Sequence, residues 1–182
     1  PRPGFEQEVE AVLQTVEQSR VVSIPRIINS SSGQELRLFQ PGRFEMGSSR
    51  REQGRRSNES LRQVEITRRY YLGTREVTNA QFREFRGQHQ PEAFKSVNLN
   101  RDDHPASGVI WADAVEYCNW LSKRDGLPEA YTRQGNDWQL VRPVNQGYRL
   151  PTEAEWTWAA RYQGGVAKIK FPWGDSMPPG SG

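Results

Sequence analysis

One thiol, two imidazoles, two carboxylate pairs and a cluster of arginines are the side chains whose spacing invites a chemical reading. Cys118 is the single cysteine, so neither an intrachain disulfide nor a thiolate metal cluster is available. Cys118 shares the apolar side of a predicted helix with Ala114 and Leu121, where it reads as a small buried hydrophobe rather than a reactive thiol. His89 and His104 belong to no H-x-x-H, H-E-x-x-H or facial-triad pattern, and His104 before Pro105 reads as a turn residue. Glu153 and Glu155 fall in the first turn of another predicted helix. Carboxylates there complement the helix dipole, so they are not an acid/base pair. Asp102 and Asp103, adjacent and without further oxygens, make a poor calcium site. Gly164-Gly165 has no phosphate-loop context. No catalytic, cofactor-binding or metal-binding residue is assigned on these grounds.

The arginines are Arg50, Arg51, Arg55, Arg56 and Arg62, interrupted by Glu52 and Glu59. Two readings stand. The loop is solvated and pairs its arginines locally, which stabilises little, or it recognises an acidic partner or anionic surface. It is the interaction candidate of the chain. Net charge is +3, and elsewhere both signs are interspersed. A nucleic-acid partner would need a broader basic face with stacking aromatics, so a protein partner is expected and nucleic acid is not. No apolar stretch approaches the length of a membrane span.

These residues need a scaffold. Hydrophobic residues make up 34% of the 182 positions, yet there are six Trp, seven Phe and six Tyr, too many aromatics for a disordered chain. The expectation is an α+β, loop-rich domain anchored by aromatic side chains. Phe5, Val9, Val12, Leu13 and Val16 form one stripe of a helix over 4–19. Residues 21–28 read as an edge strand or linker because of Pro25. The runs 35–39 and 43–47, joined at Gln40-Pro-Gly42, resemble a hairpin, and 64–67 with 70–72 reads as strand. Thr78 with Gln81, and Thr152 with Glu155, are capping boxes that open helices. A further helix spans 112–123 and stops at Gly126. Residues 88–107 and 127–147 read as irregular.

Five segments recur in one order: Pro41-Gly-Arg-Phe-Glu-Met-Gly-Ser48; Tyr71-Leu-Gly-Thr-Arg-Glu-Val-Thr-Asn-Ala-Gln-Phe82; His104-Pro105 with Val109 to Leu121; Tyr148-Arg-Leu-Pro-Thr-Glu-Ala-Glu-Trp156; and Phe171-Pro-Trp-Gly-Asp175. The set, over about residues 38–175, resembles the formylglycine-generating-enzyme or sulfatase-modifying-factor domains, in their N-terminal portion. The stretch Gly126-Leu-Pro-Glu-Ala-Tyr131 looks like bacterial versions. The resemblance implies a C-type-lectin-like fold with much irregular loop, incomplete in this chain. The expected division is an N-terminal helix and linker over 1–34, then the domain over 35–182.

Family members include an oxygen-dependent oxidase that converts a sulfatase cysteine to formylglycine. Others carry out iron-dependent C–S bond formation, and others are non-catalytic modules beside bacterial kinases or secretion systems. The resemblance implies that the oxidase's cysteine pair and most calcium ligands would lie after the fifth segment. Cofactors are thus expected to be absent from these residues, with Ca²⁺ implied for a complete domain. Cys118 matches a helix cysteine that forms a structural disulfide in some members. The expectation leans against an enzyme and towards a binding or regulatory module, periplasmic or otherwise extracytoplasmic, with a cytoplasmic location as the alternative. The competing function is a fragment of an oxidase or related oxygen-dependent enzyme whose catalytic half lies beyond residue 182.

Overall fold

A computed structural model describes residues 26–52, 55–91, 95 and 97–161. The expected helix over 4–19, Gly164-Gly165 and the Phe171–Asp175 segment lie outside these residues. The described elements are β1 (Ile27–Asn29), β2 (Glu35–Phe39), β3 (Gly42–Met46), β4 (Arg62–Ile66), β5 (Tyr70–Gly73), α1 (Asn79–Phe85), α2 (Trp111–Arg124), β6 (Tyr131–Gln134), β7 (Asp137–Leu140) and α3 (Glu153–Arg161). All pairings are antiparallel and fall into three small sheets, ordered β1-β2-β5, β3-β4 and β6-β7.

The expected hairpin between β2 and β3 does not form. β2 is flanked by β1 and β5, whereas β3 pairs with β4, so the chain changes sheets at Gln40–Pro41. The cause is Trp158 on α3. Its indole N–H donates to the Gln40 carbonyl at 3.1 Å, and its ring lies so close to Gly42 that a Cβ there would stand 2.5 Å from it. Phe44, Met46 and Ile66 then bury against Trp158 as one core, with the Phe44 ring 5.3 Å from the indole. Alternation puts the residues between them, Arg43, Glu45 and Glu65, outside. Gly47 closes β3 with φ +101, and the Ser60 backbone passes where its Cβ would be.

Both capping boxes are present. The Thr78 hydroxyl accepts the Gln81 N–H while the Gln81 side chain accepts the Thr78 N–H. Thr152 and Glu155 repeat the exchange at the start of α3. α1 and α2 meet through Phe82, Tyr117 and Leu121, with Phe85 and Trp120 packed alongside. α2 turns its other face, Val115 and Cys118, to Ala130 and Tyr131, and ends before Gly126 at φ +68. The stretch 127–147, expected to be irregular, contains the β6–β7 hairpin. Its two-residue loop is Gly135-Asn136, with Gly135 at φ +61. That dipeptide is a hairpin signal, and Tyr131 and Trp138 give the strands their apolar anchors. Trp156 departs from the aromatic-anchor expectation at 56% exposed, because Trp158 takes the core-facing position of α3.

Candidate functional site

Arg149 and Glu155 form the most enclosed ion pair among the described residues, with side chains 18% and 12% exposed. Pro151 cannot donate a backbone hydrogen bond and starts the turn; Thr152 caps α3 and brings Glu155 back towards Arg149. The Glu155 carboxylate takes both Arg149 terminal nitrogens, the Thr152 N–H at 2.8 Å and the Thr152 hydroxyl at 3.0 Å. The Tyr70 hydroxyl donates to the Glu155 carbonyl at 2.6 Å, and the Leu150 N–H donates to the Tyr131 hydroxyl at 3.0 Å. Strand β5, hairpin β6–β7 and helix α3 thus converge on one polar knot. Burial alone would raise the Glu155 carboxyl, but Arg149 and the Thr152 bonds outweigh it and hold it below its ordinary 4.5. Glu155 is a carboxylate saturated with donors, and it has no proton to trade near neutrality. Glu153 points elsewhere, to Arg62 at 3.3 Å, with both side chains well exposed. The two carboxylates are therefore separate in use.

Cys118 is buried, and desolvation pushes its thiol up to about 12 despite Arg149. A thiol in that state is a poor nucleophile at neutral pH. His104 acts through its backbone: its carbonyl accepts the Asn79 N–H at 2.9 Å, and Pro105 bridges to Thr78. Asp102 pairs with Arg83, and Asp103 with Arg101. Among the described residues no group of three His, Cys, Asp or Glu side chains converges as a metal would require.

The five arginines divide. Arg55 is half-buried, and its Nε donates to the Ser48 and Glu59 carbonyls at 3.1 and 3.2 Å, fastening the loop to itself. Arg62 reaches Met46 and Glu153 from β4. Arg50, Arg51 and Arg56 are exposed on the loop between β3 and β4. The sequence cluster is thus three outward cations and two that hold structure.

Several polar residues that organise the site gave little sequence signal. Asn119 is buried on α2 and exchanges two hydrogen bonds with the Tyr131 backbone, at 2.8 and 3.0 Å, as a strand neighbour would. Asn79, fully buried, donates to the Leu99 and Arg101 carbonyls. Asp125 accepts the Ser31 N–H and the Tyr148 hydroxyl, joining the β1–β2 turn to the end of α2. A polar side chain inside an apolar helix face was the available clue for Asn119; for Asp125 there was none, since its partners lie 94 and 23 residues away.

The described fold is that of known proteins. Residues 27–181 match the sulfatase-modifying factor enzyme 1-like domain. The formylglycine-generating enzyme of Bos taurus is 37% identical over 89 residues, which are 49% of this chain and 17% of that protein. The inactive C-alpha-formylglycine-generating enzyme 2 of Bos taurus is 27% identical over 179 residues, covering 85% of this chain and 58% of that protein. PvdO from Pseudomonas aeruginosa shares the fold with a TM-score of 0.59 at 20% identity, over 85% of this chain and 58% of that one. The chain thus spans less than two thirds of these relatives' own length. The α+β, C-type-lectin-like class implied by the five segments agrees with this fold. On the match over residues 27–181, the chain belongs to the sulfatase-modifying factor enzyme 1-like domain family.

Proposed function

We propose that this chain serves a non-catalytic binding or regulatory role on a sulfatase-modifying-factor scaffold, in a bacterial extracytoplasmic protein that accompanies a secretion or kinase pathway. The observation that carries the reading is the fate of the motif residues. Arg149, Thr152, Glu155, Thr78, Gln81 and Trp158 spend their polar atoms on the scaffold, and the one thiol is buried and held protonated. The family contains relatives named as active and as inactive, so membership is compatible with either. Arg50, Arg51 and Arg56 are the surface we assign to a protein partner, one with an acidic segment, since exposed guanidiniums pair with carboxylates in two-point geometry. Calcium stays part of the proposal for a complete domain, as the family implies.

Two measurements test this. Full-length protein is incubated with a cysteine-containing sulfatase peptide, copper(I) and oxygen, and aldehyde is captured with a hydrazine probe. No aldehyde is expected; turnover would establish the oxidase reading instead. A fluorescent oligoglutamate peptide then reports on the loop. Its affinity should fall by about tenfold or more on R50E/R51E/R56E, since each lost charge pair is worth up to about 1 kcal/mol, and should not respond to R43E. Equal responses would remove the loop from the proposal.

A further inference from the structure

His89 holds the one imidazole nitrogen among the described residues that is sealed from solvent and has no hydrogen-bond partner, its Nε2. It lies just after α1, with its ring meeting Phe82 edge-on at 4.7 Å between centroids. A neutral imidazole tolerates this arrangement, because Nε2 can then present only a lone pair. A protonated ring does not. Both nitrogens would then donate, and a charged N–H would be buried with no acceptor. The charged groups that face the ring are Arg83 from α1, Arg86 at the C-terminal cap of α1 and Asp113 from α2. Asp113 would welcome a cation, but it already accepts Arg86 Nη1 at 2.5 Å. Burial first, then Arg83, holds the imidazole below its ordinary 6.5, with Arg86 adding to the effect and Asp113 opposing it.

Arg83 connects this ring to a distant loop. Its Nε donates to the His89 carbonyl at 3.0 Å. The same guanidinium pairs with Asp102 and reaches both oxygens of Asn100. The 98–103 loop so held supplies the Leu99 and Arg101 carbonyls to Asn79 and the Asp102 carbonyl to the Ala80 N–H. One side chain therefore spans the His89 turn and the loop that closes over the start of α1.

We propose that His89 and Arg83 form an acid-sensitive clasp, in which protonation of His89 releases its turn from Arg83 and loosens the 98–103 loop around Asn79. At neutral pH the clasp is shut. In acid, below the imidazole's ordinary 6.5, it opens locally, while the Phe44–Trp158 core stays folded. The inference stands apart from the binding role proposed above, since it involves neither the arginine loop nor a partner.

Amide hydrogen exchange on the full-length protein at pH 7.5 and 5.0, corrected for intrinsic rates, tests it. The amides of Asn79, Ala80, His89 and His104, each bonded within this region, should lose protection severalfold at the lower pH. The β3–β4 amides should hold theirs. His89→Phe keeps the ring and cannot titrate, so its protection should be the same at both pH values; His89→Gln supplies a second non-titrating comparison where the Phe variant folds poorly. An acid response that persists in these variants, or no response in the parent protein, overturns the clasp. So does an imidazole titration by NMR with its midpoint at or above 6.5.

Discussion

Arg149 and Glu155, six positions apart, face each other with both guanidinium termini on both carboxylate oxygens, and both side chains are largely shielded from water. The pair closes the turn that Pro151 begins, so it fixes where α3 leaves the β6–β7 hairpin and hence where Trp158 enters the β3–β4 core.

Removing the cation should therefore be costly. Arg149→Met leaves a shielded carboxylate without its partner and is expected to destabilise the fold by about 3–5 kcal/mol, the range for breaking an enclosed pair from one side. Arg149→Lys should recover only part of this, because an ammonium lacks the two-point fork. Urea unfolding followed by Trp fluorescence measures both. A loss below about 1 kcal/mol, the level of an exposed pair, would show that the pair does not hold the turn.

The same pair sets an acid limit. Because the folded-state carboxyl of Glu155 is held below its unfolded value of 4.5, its contribution is fully present above that value. It is lost as pH falls through the lower folded value. Thermal unfolding between pH 7 and 3 should show Tm falling below about pH 4.5. Glu155→Gln should have a lower Tm at neutrality and a flatter acid limb; an unchanged limb would assign the acid response to other carboxylates.

Gly42 is required by the Trp158 ring, with φ playing no part. A methyl group at that position would overlap the indole at 2.5 Å. Gly42→Ala should cost about 1–3 kcal/mol, the usual range for overpacking, whereas Gly108→Ala, where nothing lies within 4 Å, should carry only the strain of φ +71. Combining Gly42→Ala with Trp158→Phe tests the contact directly. The double variant should be less destabilised than the sum of the two single changes.

Cys118 should resist alkylation in the native protein. With its thiol buried and pushed up to about 12, the thiolate fraction at pH 8 is about one part in ten thousand. Iodoacetamide should label it slowly at pH 8 and at the rate of a free peptide in 6 M urea, as read by mass spectrometry. Rapid native labelling would instead reveal an accessible, activated thiol and revive a redox role for α2.

Local chemistry was legible in the residues themselves. The two capping boxes, the glycine stop after α2 and the apolar placement of Cys118 follow from spacing over a few positions, where backbone hydrogen bonds and side-chain reach leave few alternatives. The hairpin β6–β7 carried its signal in Gly135-Asn136, but the polar residues around it masked the alternation. What tertiary structure alone decided was partnership between distant segments. Strand β2 pairs with β5 rather than β3 because Trp158, 118 positions from Gln40, holds the chain at the change of sheet. Arg62 leaves the arginine cluster to meet Glu153, a carboxylate 91 positions away that is brought to it only on folding. A short strand has weak preference for any one neighbour, so its pairing is settled by which buried side chain fills the space beside it. That is information no local spacing contains.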